Sequence, residues 1–146
     1  MTCPTFKRLF MAVSLLLLIL LAAPPVGAAV KDGSQAAQKA ALAWLTLVDQ
    51  GKYRASWQES GAFFQGAMDA EKWDQLMQGV RKPLGKTLSR KFFSAQARQT
   101  MPGAPDGQYF LLLFKTSFAK KKSAEERVTL IQEKGRGWRV VGYFIK

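Results

Sequence analysis

The C-terminal stretch Glu126-Arg-Val-Thr-Leu-Ile-Gln-Glu-Lys-Gly-Arg-Gly-Trp-Arg-Val-Val-Gly-Tyr-Phe-Ile-Lys146 decides the fold. Two β-rich runs, Val128–Gln132 and Trp138–Ile145, flank Lys134-Gly-Arg-Gly137, whose glycines supply the positive φ of a tight connection. A period of two puts Trp138, Val140, Gly142 and Phe144 on one face of the final strand. Arg139, Val141, Tyr143 and Ile145 then fall on the other. Both faces are partly apolar, which predicts a central strand covered on both sides. Gly142 has no side chain to pack and marks a bulge or a close approach.

Working outward, Gln108–Phe118 reads as an apolar strand with Tyr109, Leu111 and Leu113 on one face. Phe110, Leu112, Phe114 and Phe118 take the other, and Lys120-Lys-Lys122 turns the chain toward Val128. Met101-Pro-Gly-Ala-Pro-Asp-Gly107 is a loop, and the basic run from Leu84 to about Gln99 is one curved, partly exposed strand. Upstream, Ser34 or Asp32 caps a helix whose Ala37, Ala41, Trp44, Leu45 and Val48 recur at helical spacing to Gly51. Lys52–Gln58 forms a short second helix. Asp69 caps a third over Ala70–Lys82, with Trp73, Leu76, Met77 and Val80 inward and Pro83 at its end.

This order predicts an α+β fold of two or three N-terminal helices packed on a curved four-stranded antiparallel sheet. The cystatin and nuclear-transport-factor cones share that order. Trp44 and Trp138 are expected to meet across the helix–sheet interface. Phe110, Leu112, Phe114, Val141 and Tyr143 are expected on the opposite sheet face, as a self-association surface or one covered by curling.

The 146 residues carry a net charge of +12 and suit one domain with a processing segment. Lys7 and Arg8, the run Leu9–Leu21 and Val26-Gly-Ala28 have the order of a signal peptide over residues 1–28, cleaved near Ala28. The stretch from Leu9 to Ala23 spans about 22 Å as a helix, short of the roughly 30 Å hydrocarbon core. An uncleaved anchor is the alternative. Residues 29–146 then form a single exported domain, periplasmic or secreted, without Cys3, the sole cysteine. The chain has no histidine, so histidine triads, thiol catalysis and Cys/His zinc sites are excluded from that domain. No metal or cofactor is expected.

The carboxylates are scattered. Asp49 sits at the C-terminal end of a helix, against the helix dipole. It can pair with Lys52, Arg54 or a sheet arginine, a reading favoured over a general base working with Tyr53. Arg81 reads as a cap on its own helix, with fork binding of a carboxylate or anion as the alternative; Arg90 is a second candidate anion ligand. Glu125 and Glu126 are neighbours on a strand and point apart. Lys86, Arg90, Lys91, Arg98, Lys115 and Lys120–Lys122 can form a positive sheet edge, which by itself blocks strand pairing between molecules. If that charge is used, anionic envelope polymers or lipid headgroups are the expected partners. Nucleic acid is not, since the phenylalanines read as core.

Several segments together resemble the small exported bacterial proteins of the domain of unknown function 4019 family. They are Trp44-Leu-Thr-Leu-Val-Asp-Gln-Gly-Lys-Tyr53 with Ser56-Trp57, Arg81-Lys-Pro-Leu-Gly85 with Arg90, and Pro102-Gly-Ala-Pro-Asp-Gly-Gln-Tyr109. Thr116-Ser-Phe118, Glu126 and Trp138-Arg-Val-Val-Gly-Tyr-Phe144 complete the likeness, which spans about residues 36–146. The resemblance implies export and a single domain and brings no activity or catalytic residues. The expectation is thus an exported, non-enzymatic domain that binds a protein partner or a small apolar ligand, with a homodimer or an envelope protein as partner. A pocket enzyme using Asp49 with Tyr53, and a basic module for anionic envelope polymers, are the alternatives.

Overall fold

The computed structural model describes residues 26–146. The basic start and leucine run of the expected signal peptide lie outside the described residues. Four helices precede four strands: α1 (Val26–Asp49), α2 (Tyr53–Gln58), α3 (Ala62–Ala67), α4 (Ala70–Leu84), β1 (Thr87–Arg98), β2 (Tyr109–Phe118), β3 (Lys121–Glu133) and β4 (Gly137–Ile145). The strands form one open antiparallel sheet in the order β1-β2-β3-β4. This is the α+β architecture expected, with one helix more.

The extra helix, α3, has no local cap in the sequence. Its Ala62 N–H donates to Glu133 Oε1 at 2.6 Å, a partner 71 residues away. The final strand is an edge and not the central strand expected. The α2–α3 linker lies against this edge at Val140 and Val141. Gly61 N donates to Val140 O at 2.7 Å, and a Cβ at Gly61 would stand 2.7 Å from Val141 Cγ1. Glycine is what lets the two backbones approach so closely. The turn glycines Gly135 and Gly137 have the positive φ expected of them.

Helix α1 begins before either expected cap. The Ser34 hydroxyl donates to the Lys31 carbonyl at 2.9 Å, inside a helical turn. Asp69 does cap α4, accepting from Lys72 N at 2.8 Å. Helix α4 runs through Pro83 to Leu84, and its buried stripe is Trp73, Met77 and Arg81. Leu76 and Val80, expected inward, are 47% and 37% exposed. Four-residue spacing brings the arginine, not the valine, under the sheet.

Indole N–H groups bind the helices to one another. Trp44 donates to Ser56 O at 2.8 Å and Ser60 Oγ at 3.1 Å, and Trp73 donates to Ser56 Oγ at 3.0 Å. Both serines are fully buried, so each tryptophan buries its apolar body and keeps its polar atom satisfied.

On the sheet, the helix-covered face carries Phe110, Leu112 and Phe114 from β2, Val128 and Leu130 from β3, and Val140 from β4, all in the core with Trp44 and Trp73. This corrects the expected assignment of Phe110, Leu112 and Phe114 to the far face. The far face carries Leu111 and Leu113 instead, with Tyr109 buried where its hydroxyl donates to Pro105 O of the loop. Trp138 is half-buried and packs on Phe110, ring centres 5.0 Å apart, while Trp44 packs on Trp73 and Tyr143. The two tryptophans do not stack, though both line one trough between α1 and β4.

The sheet has four breaks in strand register, one of them between Thr116 and Phe118 in the β2–β3 pairing, and the other three decide which side chains of β1 and β4 face the helices. In β1 they fall at Leu88 and Phe93. In β4 one extra residue lies between Val140, paired with Leu130, and Gly142, paired with Thr129. Each inserted residue reverses the alternation that follows it. Arg90 therefore joins Thr87 on the inner face, and Tyr143, opposite Val128, joins Trp138 and Val140. The bulge that Gly142 marks is real. The two-face division read across it from the sequence is reversed beyond Val140, leaving Phe144 57% exposed.

Candidate functional site

Toward the start of β1 and β3 the inner face changes from apolar to charged. Asp49 ends α1, Arg81 lies one turn before the end of α4, Thr87 and Arg90 open β1, and Thr116, Glu126 and Tyr143 come from β2, β3 and β4. Arg90 grips two carboxylates. Its Nε and Nη2 donate to Glu126 at 2.5 and 3.1 Å, and its Nη1 and Nη2 donate to Asp49 at 2.7 and 3.0 Å. Arg81 Nη2 donates to Asp49 Oδ1 at 3.0 Å, and its Nη1 lies 3.4 Å from Tyr143 Oη and 3.9 Å from Glu126 Oε1. The Arg81 guanidinium also stands 4.9 Å from the centre of the Phe118 ring, within cation–π range.

Hydroxyls complete the cluster. Thr87 donates to Asp49 Oδ1 at 2.8 Å, Thr116 donates to Glu126 Oε2 at 2.6 Å, and Tyr143 donates to Glu126 Oε1. The Glu126 side chain is 0% exposed, Arg81 5%, Arg90 10% and Asp49 26%. Two guanidiniums and two carboxylates cancel in charge, and every carboxylate oxygen accepts. Such pairing offsets a desolvation cost of about several kcal/mol per ion. Arg81 Nε is buried without a partner.

Burial would raise the Asp49 pKa, but hydrogen bonds from Arg90, Thr87 and Arg81 and the Arg90 charge outweigh it and hold the carboxyl below its ordinary range. Burial lowers the Arg90 pKa, and its bonds to Asp49 and Glu126 more than reverse this, keeping it protonated. Tyr143 is pushed well above the usual tyrosine range, first by burial, then by the Glu126 charge and hydrogen bond, against the opposing Arg81. A general base works best with a pKa near the working pH. Asp49 is held away from that condition, and both its oxygens already accept hydrogen bonds.

Of the residues singled out from the sequence, Asp49, Arg81 and Arg90 meet here. Asp49 takes the pairing with a sheet arginine, while Arg54 goes to Glu71. Arg81 reaches a carboxylate and does not cap its helix, but it holds Asp49 through Nη2 alone; the fork geometry belongs to Arg90. Tyr53 shares a depression of about 440 Å³ with Asp49 and Arg81, but no hydrogen bond to Asp49 comes from it. Glu126, Thr116, Thr87 and Tyr143 were not expected in the site. One signal was available: Glu126 interrupts the inward alternation Ala124, Val128, Leu130, and a carboxylate there needs a buried cation. The positive edge is also smaller than expected, since Arg90 is internal and Lys115 pairs with Glu125. Glu125 and Glu126 do point apart.

A second feature is the trough, of about 530 Å³, between α1 and β4. Ala40, Ala43, Trp44, Leu47, Trp138 and Val140 give it apolar walls, and Glu59, Arg136 and Arg139 stand at its rim. Arg136 pairs with Glu133 and Arg139 with Glu59, so the rim is largely charge-balanced. Among the described residues no three acidic side chains converge in a way that could hold a metal ion.

No curated protein and no solved structure matches the chain. Residues 40–143 match the family described as Protein of unknown function (DUF4019), a span that contains Asp49, Arg81, Arg90, Glu126 and Tyr143, and the chain belongs to that family.

Proposed function

We propose that the protein is an exported, non-enzymatic binding domain whose trough between α1 and β4 takes a small apolar ligand. The observation that carries this reading is the trough itself. Two alanines leave space beside Trp44, Leu47 and Trp138, while the rim arginines are already paired. The charged cluster, closed on itself, serves as a clasp that joins α1, α4 and the sheet and holds the trough walls in place. Export rests on the order Lys7-Arg8, leucine run, Val26-Gly-Ala28. Intact-mass measurement on protein from the cell envelope tests it, with loss of residues up to about Ala28 expected.

An uncharged dye, N-phenyl-1-naphthylamine, tests the trough. At about 0.3 kcal/mol per heavy atom, a molecule of roughly 17 atoms binds with a Kd on the order of 100 μM. Ala43→Trp fills the space from the exposed side of α1 and should abolish saturable binding without lowering stability. Binding that survives Ala43→Trp removes the ligand from the trough. The far sheet face, with Phe93 63% and Phe144 57% exposed, supports the second reading of a protein partner or a homodimer. Sedimentation of the wild type against Phe93→Lys and Phe144→Lys decides that one.

A further inference from the structure

We propose that the end of the molecule where the α4–β1 connection meets the β2–β3 turn is a docking surface for an anionic lipid bilayer. The fold joins these two segments directly. Lys120 N donates to Leu84 O at 2.9 Å, and Ala119 N donates to Lys86 O at 2.8 Å. Thr87, Phe118 and Lys121 are paired in one row across β1, β2 and β3. Lys82, Lys86, Lys120, Lys121 and Lys122, distant in sequence, thus come together at one end, and all are exposed. Among the described residues none of the five is held in an ion pair.

The acids nearest this end are already engaged. Asp49, beside Lys82 and Lys86 in the same depression, is bound by Arg81 and Arg90. Glu125 is bound by Lys115 and Arg127. The free side-chain charge here is therefore positive. Leu88 lines a shallow depression with Lys86 at the first bulge of β1, 57% exposed. A soluble polyanion needs the lysines alone. Lysines beside a projecting leucine match a surface with an anionic headgroup layer above an acyl layer. The apolar side chain enters the boundary while the cations stay at headgroup level.

The test compares the full chain on vesicles of phosphatidylcholine and on vesicles that also contain phosphatidylglycerol. The run Leu9–Leu21 is common to every variant, so its contribution cancels in the ratio between variants on the same vesicles. Each lysine near an anionic bilayer is worth roughly fivefold in affinity. Lys120→Gln/Lys121→Gln/Lys122→Gln should therefore lower binding to the anionic vesicles on the order of 100-fold, and Lys82→Gln/Lys86→Gln on the order of 20-fold. Leu88→Asn should weaken vesicle binding and leave binding to dextran sulfate unchanged. Equal binding to both kinds of vesicle, or anionic binding indifferent to both lysine variants, overturns the proposal. Capture by dextran sulfate without capture by anionic vesicles also overturns it and assigns the surface to a soluble polyanion.

Discussion

The inner face of the sheet is built from one alternation and two chemistries. At one end Phe110, Leu112, Leu130 and Val140 pack under α1 with dispersion and burial as the only terms. At the other end the same rows continue as Thr116, Glu126, Arg90 and Tyr143, where each group depends on a specific partner. An apolar core tolerates replacement by another apolar side chain of similar volume. A buried ion cluster does not, because removing one member leaves its partner charged and unmatched in a low dielectric. The difference teaches that shape is set at one end and alignment of the helix termini at the other.

The sharpest way to break this comparison is Glu126→Leu, which keeps apolar volume and removes the charge that Arg90 holds. It should cost about 3–5 kcal/mol. Leu112→Ala at the apolar end should cost about 2–5 kcal/mol, according to how far the site collapses. Urea unfolding measures both. The diagnostic result is the double variant Arg90→Met/Glu126→Leu, expected to be more stable than Glu126→Leu alone. If it is less stable, the arginine works through Asp49 alone and the cluster is two separate pairs.

Asp49→Asn is next in size, at about 1–3 kcal/mol at neutral pH, and it sharpens the comparison through pH. The folded carboxyl is held below its ordinary value of 3.8. Its contribution is therefore complete above that pH and is lost as pH falls through the lower folded value. The wild type should lose stability below about pH 4, and Asp49→Asn should lose less over the same interval. Leu112→Ala should show the full wild-type acid response. Thermal melts across this range make the measurement.

How much of this was legible follows the same division. Trp44, Ala37, Ala41 and Val48 announce α1 because helical spacing is a local signal, and Asp69 announces the start of α4 for the same reason. Asp49 was conspicuous because an acid at a helix C-terminus needs an explanation. Tyr143 was misplaced because it follows a bulge, and a period of two has no means of counting an extra residue; Arg90 was read as part of a positive edge because its carboxylate partners lie 36 and 41 residues away. The inner face of β2 was assigned to the wrong side because alternation separates two faces without saying which one the helices cover. Helix α3 was missed because Glu133, which caps it, is far away in sequence. The edge position of β4 was missed because its cover comes from Gly61, not from another strand.

Tyr143→Phe is the smallest effect. The phenol donates to Glu126 Oε1, which also accepts from Arg90 Nη2 at 3.1 Å. Removal thus leaves the carboxylate partnered and should cost only about 1 kcal/mol at pH 7. Its pH dependence is opposite to that of Asp49. The folded pKa of Tyr143 is raised by burial and by Glu126, so its contribution is complete below the ordinary value of about 10 and declines as pH rises above it. Tyr53 and Tyr109 are also raised, but they are present in both proteins and cancel in the difference. The gap between wild type and Tyr143→Phe should close above about pH 10 and then reverse. A gap that stays constant would show that the hydroxyl is not shielded by the helices, and the charged end would then be open to water at β4. A gap as large as that of Glu126→Leu would make Tyr143 the member on which the cluster depends.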